Sequence, residues 1–416
     1  MIQAPKGTYD VLPEDMQRRE LVAAHAQRVL GAAGYRRIET PMFEATELFT
    51  RGVGEATDIV QKEMYSFDDG AGRSLTLRPE GTAPVCRAYI EHGMHKRPAP
   101  VKLWYLSPFF RAENPQRGRQ RQFWQVGAEV IGAAGPETDA ELVVLLAELL
   151  EALGVRDTRL RLSSLGNPET RVEYRRELAA YLREHEAELS PEVRARIELN
   201  PMRAFDAKDP GTQRVMAGAP KLLDRLTKDD AQHFAQVRAL LDAAGVRYEL
   251  DPTLVRGLDY YTRTLFEFTS DALGAQSGVG GGGRYDRLIE QLGGQPTPGA
   301  GWAAGVERML LAAPQAPTAP AVVDVFVTVS ERNSATPLTL AFQVAHEARR
   351  AGLSAQLELT GRSLKSALKH GDRIGARYVA IVNAHGGASL KDMESGEQRE
   401  LEAAAVIPTV LRGAGI

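Results

Sequence analysis

The spacing of apolar and polar positions changes several times along the chain, and each change marks a boundary. Residues from roughly 14 to 33 repeat with helical period and stop at Gly34. Short strand-like runs follow: YRRIETP, SLTLRPE, VKLWYLSPFF, RQFWQVGAEVIG and YTRTLFEFTS. Several of the loops between them are too short for crossover helices, so the spacing predicts a largely antiparallel sheet. Between about 166 and 245 the chain turns helical and charge-laced, with 17 basic and 16 acidic residues over 155–250, and reads as a helical insertion. AAPQAPTAPAV (312–322) has prolines at 314, 317 and 320 and no apolar period, so it reads as a semi-stiff linker. Beyond it VVDVFVTVS predicts a strand. PLTLAFQVAHEARRAG predicts an amphipathic helix with Leu338, Phe342, Ala345 and Ala348 on one face and Gly352 as its stop. LSAQLEL, SLKSALKHGDRIGA and YVAIVN continue the alternation. That is a βαβαβ order and predicts a small domain with a mostly parallel sheet. No internal repeat interrupts this order.

Composition narrows the class. The chain has 416 residues, 43% hydrophobic and 25% charged, which excludes general disorder and suggests several domains. The single cysteine, Cys86, cannot close an internal disulfide, so a reducing compartment is expected. The opening MIQAPKGTYDVLPEDM has no apolar run of the kind a secretory signal needs, and a cytoplasmic protein is expected. ELVVLLAELLEALG (141–154) carries three glutamates and falls short of the ~20 apolar residues of a membrane span. The balance of 51 basic against 54 acidic residues argues weakly against a nucleic-acid partner. The distribution reverses that: 111–121 carries +3, and 349–377 carries seven basic residues (Arg349, Arg350, Arg362, Lys365, Lys369, Arg373, Arg377) against two acids. Phosphate affinity follows local patches more than the sum.

Four runs carry candidate chemistry. FRAENPQRGRQRQFWQVGAEVIG (110–132) predicts a β-hairpin with an arginine-rich tip, and strand alternation puts Phe123, Gln125, Gly127 and Glu129 on one face. Polar groups there suit a polar pocket better than a core, and Arg111 adds a planar donor for carboxylate or phosphate. In RPEGT (78–82), Glu80 and Thr82 share one face at a strand end. In LVRGLDYYTRTLFEF (254–268), Arg256 precedes a turn at Gly257, and Tyr260 and Tyr261 begin a strand on opposite faces. In PGAGWAAGVERML (298–310), small residues lead into a helix with Arg308 about one turn in. GVGGGGRYD (278–286) has glycine at five of its first six positions, which lets a backbone approach a ligand closely. Taken alone, that run also reads as a flexible surface loop, the hairpin as a solvated charge run, and Arg308 as a surface arginine.

Together these runs resemble the class II aminoacyl-tRNA synthetases, and among them the histidyl-tRNA synthetases. FRAE with the strand that follows resembles the second signature motif, GVERM the third, and IETPMFE (38–44) the first. LVRGLDYY and GGGRYD resemble the two histidine-specific motifs, the opening KGTYDVLP resembles the family's N-terminus, and LVRGLDYYTRT together with RPEGT is the most specific part of the likeness. The likeness covers essentially the whole chain. It implies an α+β catalytic core with an antiparallel sheet (1–165 and 246–312), a helical insertion (166–245), a linker (313–321) and a C-terminal α/β anticodon-binding domain (322–416).

The implied activity is histidine–tRNA ligation through histidyl-adenylate, with ATP and Mg2+, L-histidine and tRNA(His) as partners. A homodimer through the segment around Pro41 and no membrane association are also implied. Arg256 and Arg111 are the implied catalytic residues. Glu80, Gly81, Thr82, Gln125, Glu129, Arg256, Tyr260, Tyr261 and Tyr285 are implied to bind histidine, with Glu129 and the Tyr261 hydroxyl serving the imidazole. Arg111, Arg119, Phe123 and Arg308 are implied for ATP. Gln116, Arg117, Arg121, Arg362, Lys365 and Lys369 are implied for tRNA, and no protein metal ligand is assured. Trp124 stands where relatives commonly have histidine. Two alternatives are a non-catalytic regulatory paralogue of histidine biosynthesis and a class II synthetase for glycine or proline. Arg111, Arg256, Arg308 and residues 322–416 weigh against the first, and LVRGLDYY with RPEGT against the second.

Overall fold

The largely antiparallel sheet inferred from the short runs forms the spine of the first of two units. The computed structural model describes residues 2–55, 57–274, 277–314, 323–331 and 335–414. The chain divides into Met1–Gln315 and Ala316–Ile416. Most of the segment read as a linker, and Val322 after it, lie outside the described residues.

The first unit contains β1 (Arg36–Arg37), β2 (Phe43–Ala45), β3 (Tyr65–Asp68), β4 (Ser74–Leu77), β5 (Val101–Phe110), β6 (Gln122–Ile131), β7 (Thr158–Ser164), β8 (Glu249–Leu250), β9 (Thr262–Ser270), β10 (Gly278–Arg284) and β11 (Gly299–Gly305). Eight of them form one sheet in the order β1-β5-β6-β11-β10-β9-β7-β8, and β2-β4-β3 form a small sheet. The six central strands of the large sheet pair antiparallel, and only the two-residue edge strands β1 and β8 pair parallel. The helices are α1 (Pro13–Ala32), α2 (Thr46–Val53), α3 (Thr82–Glu91), α4 (Pro136–Ala152), α5 (Pro168–Glu184), α6 (Pro191–Arg194), α7 (Pro210–Gly218), α8 (Lys228–Ala243), α9 (Leu288–Gln291) and α10 (Val306–Ala312). The charge-laced stretch is helical as expected, as α5 to α8 with short 3-10 turns between them.

Two apolar clusters meet the two faces of the sheet. On one face Trp104, Val126, Ala128, Phe266, Phe268 and Trp302 pack with Val22, Leu30, Val237 and a run of α4 residues from Leu142 to Leu150. This explains ELVVLLAELLEALG: a helix lodged between a sheet and two other helices is apolar nearly all round. On the other face Tyr105, Phe109, Leu265, Tyr260, Tyr261 and Tyr285 pack with α3 and the insertion helices. A buried polar knot ties the layers. Asp139 on α4 accepts from His233 (2.8 Å), Thr264 (2.6 Å) and the fully buried Arg284 (2.8 Å). Burial raises the Asp139 carboxyl, but His233, Arg284 and Thr264 outweigh it and hold the group below its ordinary value.

The glycine run is a buried central strand and not a loop. Its neighbours come too close for side chains: a Cβ on Gly282 would lie 2.0 Å from the Gly301 carbonyl oxygen and 2.5 Å from the Trp302 Cα. Both obstacles are backbone, so relief requires strands to part. Gly282→Ala is expected to cost about 3 kcal/mol or more, at the upper end of overpacking effects. A thermal melt of the purified variant checks this, and an unchanged midpoint would refute the close-packed strand.

The second unit holds β12 (Val323–Val329), α11 (Ala335–Arg350), β13 (Ala355–Leu357), α12 (Leu364–Arg373), β14 (Ala376–Val382), β15 (Gly387–Asp392), β16 (Gln398–Glu402) and α13 (Val406–Ala414). Strand order is β13-β12-β14-β15-β16, with the first three parallel as expected and β15–β16 an antiparallel hairpin at one edge. The buried face of α11 differs from the one inferred. It carries Ala341, Val344, Ala345 and Ala348, while Leu338 and Phe342 are exposed. The small residues let α11 sit close on the sheet, and the larger pair points away.

Candidate active site

Strand register assembles the site. Across the large sheet Tyr105, Gly127, Ala303, Gly281, Glu267 and Arg161 pair in one row, from β5 to β7. The next row on the same face is Leu103, Glu129, Gly301, Gly283, Leu265 and Ser163. The middle of both rows is glycine or alanine, so the sheet has a low floor there, and larger side chains fold over it from both sides. The Tyr105 ring lies where a Cβ on Gly127 or Gly81 would come, within 2.2 and 2.4 Å. The Glu129 carboxylate lies over Gly301, 1.7 Å from where its Cβ would be. Alternation along β6 is as inferred: Trp124, Val126 and Ala128 join the helix-side cluster, while Phe123, Gln125, Gly127 and Glu129 face the site.

Two carboxyl groups define the polar end. Glu129 is fully buried and accepts from the hydroxyls of Tyr285 (2.6 Å), Thr82 (2.8 Å) and Tyr105 (3.4 Å). Burial pushes its carboxyl up to about 8; the bonds from Tyr285 and Thr82 oppose this and the charge of Glu80 adds to it. Glu80 accepts from the backbone N–H groups of Thr82 (2.8 Å) and Ala83 (2.9 Å) and from Tyr260 Oη (3.3 Å). Burial raises its carboxyl too, against those backbone bonds and the nearby charge of Arg111. Glu80 therefore stands just before α3 as an acceptor for its first turn. It does not share a strand face with Thr82, because β4 already ends at Leu77. Gln125 Oε1 is buried and has no hydrogen-bond partner among the described residues. Buried carboxyls that form no ion pair among the described residues, beside an unpaired buried acceptor, form a site for a cationic, hydrogen-bonding ligand.

The tyrosines also depart from their inferred arrangement. Tyr260 and Tyr261 precede β9 and do not split between faces; their rings lie 4.8 Å apart within one cluster, with Tyr285 5.8 Å from Tyr260. The loop, not strand alternation, aims them. Tyr285, implied only as one of the histidine-binding residues, donates its hydroxyl to Glu129, as Tyr105 does at a longer distance.

The arginines converge from separate elements. Arg111 leaves the end of β5, donates Nε to the Pro79 carbonyl (2.9 Å), and lies with its guanidinium carbon 5.3 Å from the Phe123 ring centroid. Arg256 Nη1 meets Glu267 Oε1 at 2.6 Å. Burial lowers its guanidinium, and the charges of Glu267 and the tyrosines more than restore it. Arg308 donates Nε to the Gly278 carbonyl. Arg119 pairs with Glu113 at 3.0 Å.

Arg121 has a bracing contact that the sequence did not suggest. It donates its backbone N–H to the Gly7 carbonyl (2.7 Å) and its Nε to the Glu113 carbonyl. Gly7 has φ of +86°, and a Cβ there would meet Arg121, so the KGT turn is fitted to the hairpin base. Gln116 and Arg117 are exposed at the tip. Trp124 donates its backbone N–H to Glu307 (3.0 Å), away from the polar pocket.

In the second unit Lys365 and Lys369 are exposed on α12. Arg362 pairs with Glu358 at 2.9 Å. Burial works against ionisation of Glu358, but bonds from Arg362 and Thr360 bring its carboxyl down to about 2.

Tyr105, Glu113 and Glu267 belong to the site and escaped the sequence reading. The only trace of Tyr105 is indirect, in the glycines at 81 and 127 that make room for it.

Comparison with known proteins follows the same lines. A family model described as histidyl-tRNA synthetase matches residues 7–309. The histidine–tRNA ligase of Thermosynechococcus vestitus is 46% identical over 404 residues, 95% of this chain and 93% of that protein. That of Halorhodospira halophila is 48% identical over 408 residues, covering 96% and 95%. The crystal structure of apo S. aureus histidyl-tRNA synthetase superposes with a TM-score of 0.81 at 32% identity, covering 99% of this chain and all of that one.

Proposed function

The chain belongs to the histidyl-tRNA synthetase family, and from that premise we propose how its residues divide the work. It is a histidine–tRNA ligase and uses ATP. One oxygen of the histidine carboxylate forms a bond to the α-phosphorus, the bond to the β,γ-pyrophosphate breaks, and histidyl-adenylate results. A terminal ribose hydroxyl of tRNA(His) then attacks the acyl carbon, and AMP leaves. In the first step two anions approach one another, so fixed positive charge and positioning carry most of the catalysis.

The observation that carries the assignment is the glycine-floored row of the sheet, with the carboxyls of Glu80 and Glu129 buried over it, Arg111 held at the Pro79 carbonyl beside Glu80, and Arg256 over Gly281. Glu80, Thr82 and the unpaired Gln125 Oε1 take the α-ammonium group. Gly81 contributes space, since any side chain there meets Tyr105. Glu129 takes the imidazole N–H, with Tyr261 serving the other ring nitrogen and Tyr260 and Tyr285 forming the wall. Tyr285 already bonds Glu129, which supports it as the group that fixes that carboxyl. Arg111 joins the substrate carboxylate to the α-phosphate, a task suited to a planar fork of donors. Arg256 approaches the α-phosphate from the opposite side. Phe123 and Arg308 enclose the adenine, and Arg119 meets the outer phosphates. Among the described residues no cluster of three or more His, Cys, Asp or Glu is placed to hold a metal ion. Mg2+ is assigned to the nucleotide, entering with ATP as part of that substrate.

For tRNA, the exposed tip residues Gln116 and Arg117 are assigned to the acceptor end with Arg121 behind them, and Arg362, Lys365 and Lys369 to the anticodon stem. A second copy of the chain is assigned to the segment around Pro41, where Met42, Phe43 and Phe67 are exposed and the two phenylalanine rings meet at 6.3 Å. No described helix is long and apolar enough to cross a membrane; a reducing cytoplasm fits the free, buried Cys86. A regulatory paralogue is not favoured, because Arg111, Arg256, Arg308 and residues 322–416 are all kept.

Charging assays test the division of labour. The double variant Lys365→Ala, Lys369→Ala is expected to raise KM for tRNA about 10-fold at physiological salt, from the loss of two phosphate contacts. Histidine-dependent pyrophosphate exchange should stay at the wild-type rate. Unchanged tRNA KM would remove these residues from the interface.

A further inference from the structure

Glu267 takes no part in the chemistry above, yet its carboxylate bonds Arg256 directly. It faces the site from β9, a strand otherwise buried except at Arg263 and Glu267. Its neighbours in register are Arg161 on β7 and Gly281 on β10. Its two oxygens are divided between two cations: Oε1 meets Arg256 Nη1 at 2.6 Å, and Oε2 meets Arg161 Nη1 at 3.2 Å. Arg161 in turn donates Nε to Asp251 at 2.6 Å. Asp251 also accepts from the backbone N–H and hydroxyl of Thr253, at the start of the loop that carries Arg256. Gly281 leaves room for the arrangement, since a Cβ there would lie 3.3 Å from Arg256 Nη1.

The charges therefore alternate, Asp251, Arg161, Glu267, Arg256, and the series closes on the loop at both ends. The chemistry of that order is specific. A carboxylate bound to Arg256 alone would compete with a phosphate for the guanidinium. A carboxylate already shared with Arg161 competes less and still fixes the rotamer. An arginine fixed before the substrate arrives keeps its remaining N–H donors aimed without further ordering.

We propose that Glu267 is a positioning residue that orients Arg256 toward the α-phosphate, with Arg161 as the counter-charge that keeps Glu267 from holding Arg256 back. This rests on the reading of Arg256 as the group at the α-phosphate, and the test separates the two.

The measurement is single-turnover adenylate formation with histidine and ATP by the full chain, with KM for histidine from pyrophosphate exchange. Glu267→Gln keeps the shape and removes the charge. It is expected to lower the rate roughly 10- to 100-fold with KM for histidine within about 2-fold, the signature of a loss confined to the transition state. In an Arg256→Ala background the same change is expected to add almost nothing, because residues acting as one unit are non-additive. A wild-type rate in Glu267→Gln overturns the proposal. So does an equal further loss in the Arg256→Ala background, which would mean a role independent of Arg256. If Arg256→Ala itself retains the wild-type rate, the reading of Arg256 fails first and the proposal with it. Should Glu267→Gln not fold, Arg161→Met is read by the same two criteria, with a rate loss expected alone and none beyond that of Arg256→Ala in combination.

Discussion

Arg256→Ala is expected to abolish histidyl-adenylate formation on the timescale of turnover, while histidine binding stays within a few-fold of wild type. The guanidinium is assigned to the phosphoryl group, and removing one such preorganised donor costs about 3–4 kcal/mol, or roughly 10²–10³ in rate. Most of the histidine end of the pocket is built from other elements, Glu80 at the start of α3, Glu129 on β6 and Tyr285 after β10, and only Tyr260 and Tyr261 share the loop of Arg256. None of them bonds Arg256, so truncating it should leave them in place. Rapid-quench measurement of adenylate beside equilibrium binding of histidine makes the separation. Equal loss of both would move Arg256 from the reaction to the structure of the pocket.

Glu129→Gln is expected to weaken histidine by about 1–3 kcal/mol, the range for a buried hydrogen-bonding group left mismatched, and to leave ATP nearly unaffected. The same substitution should stabilise the ligand-free protein at alkaline pH. The sign follows from burial, which raises the Glu129 carboxyl from 4.5 to about 8. Between those values the folded chain keeps a proton that the unfolded chain has lost, so the group's cost grows as pH rises and levels off above about 8. Below 4.5 both states are protonated and the cost vanishes. Each pKa unit corresponds to roughly 1.4 kcal/mol, so the glutamine variant should melt higher than wild type at pH 8.5 and no higher at pH 4.5. A residue kept for stability would show the opposite order. Isothermal titration with histidine and thermal melts across pH check the two halves independently.

The parts of the molecule that follow a local rule were legible in the sequence, and the parts set by long-range packing were not. β6 declared its two faces because strand alternation is a period-two rule, and Phe123, Gln125 and Glu129 stood out as polar or aromatic where a core would be aliphatic. The residues of RPEGT and LVRGLDYY were visible through resemblance, but their geometry was misread. Glu80 serves a helix start and the paired tyrosines lie in a loop, and neither arrangement has a period that sequence spacing can reveal. α11 shows the same limit from the other side: a helix that packs through Ala341, Ala345 and Ala348 buries its small side and exposes Phe342, which reverses the usual rule of large apolar residues inward. Glu267 was hidden for a different reason. Its importance lies in register, opposite Arg161 and Gly281, and register across three strands from two distant segments is written nowhere in any one of them. The glycine run was conspicuous from the start, yet its meaning came only with the sheet. The glycines permit close strands and give the site its floor.

Histidine is expected to be the one amino acid that this pocket joins to ATP. Pyrophosphate exchange with each of the twenty amino acids at saturating ATP tests it most directly. Exchange is expected with histidine and none above background with the other nineteen, because buried Glu80, Glu129 and Gln125 would be left unpaired by an apolar side chain. Exchange with a different amino acid, or none with histidine, would contradict it.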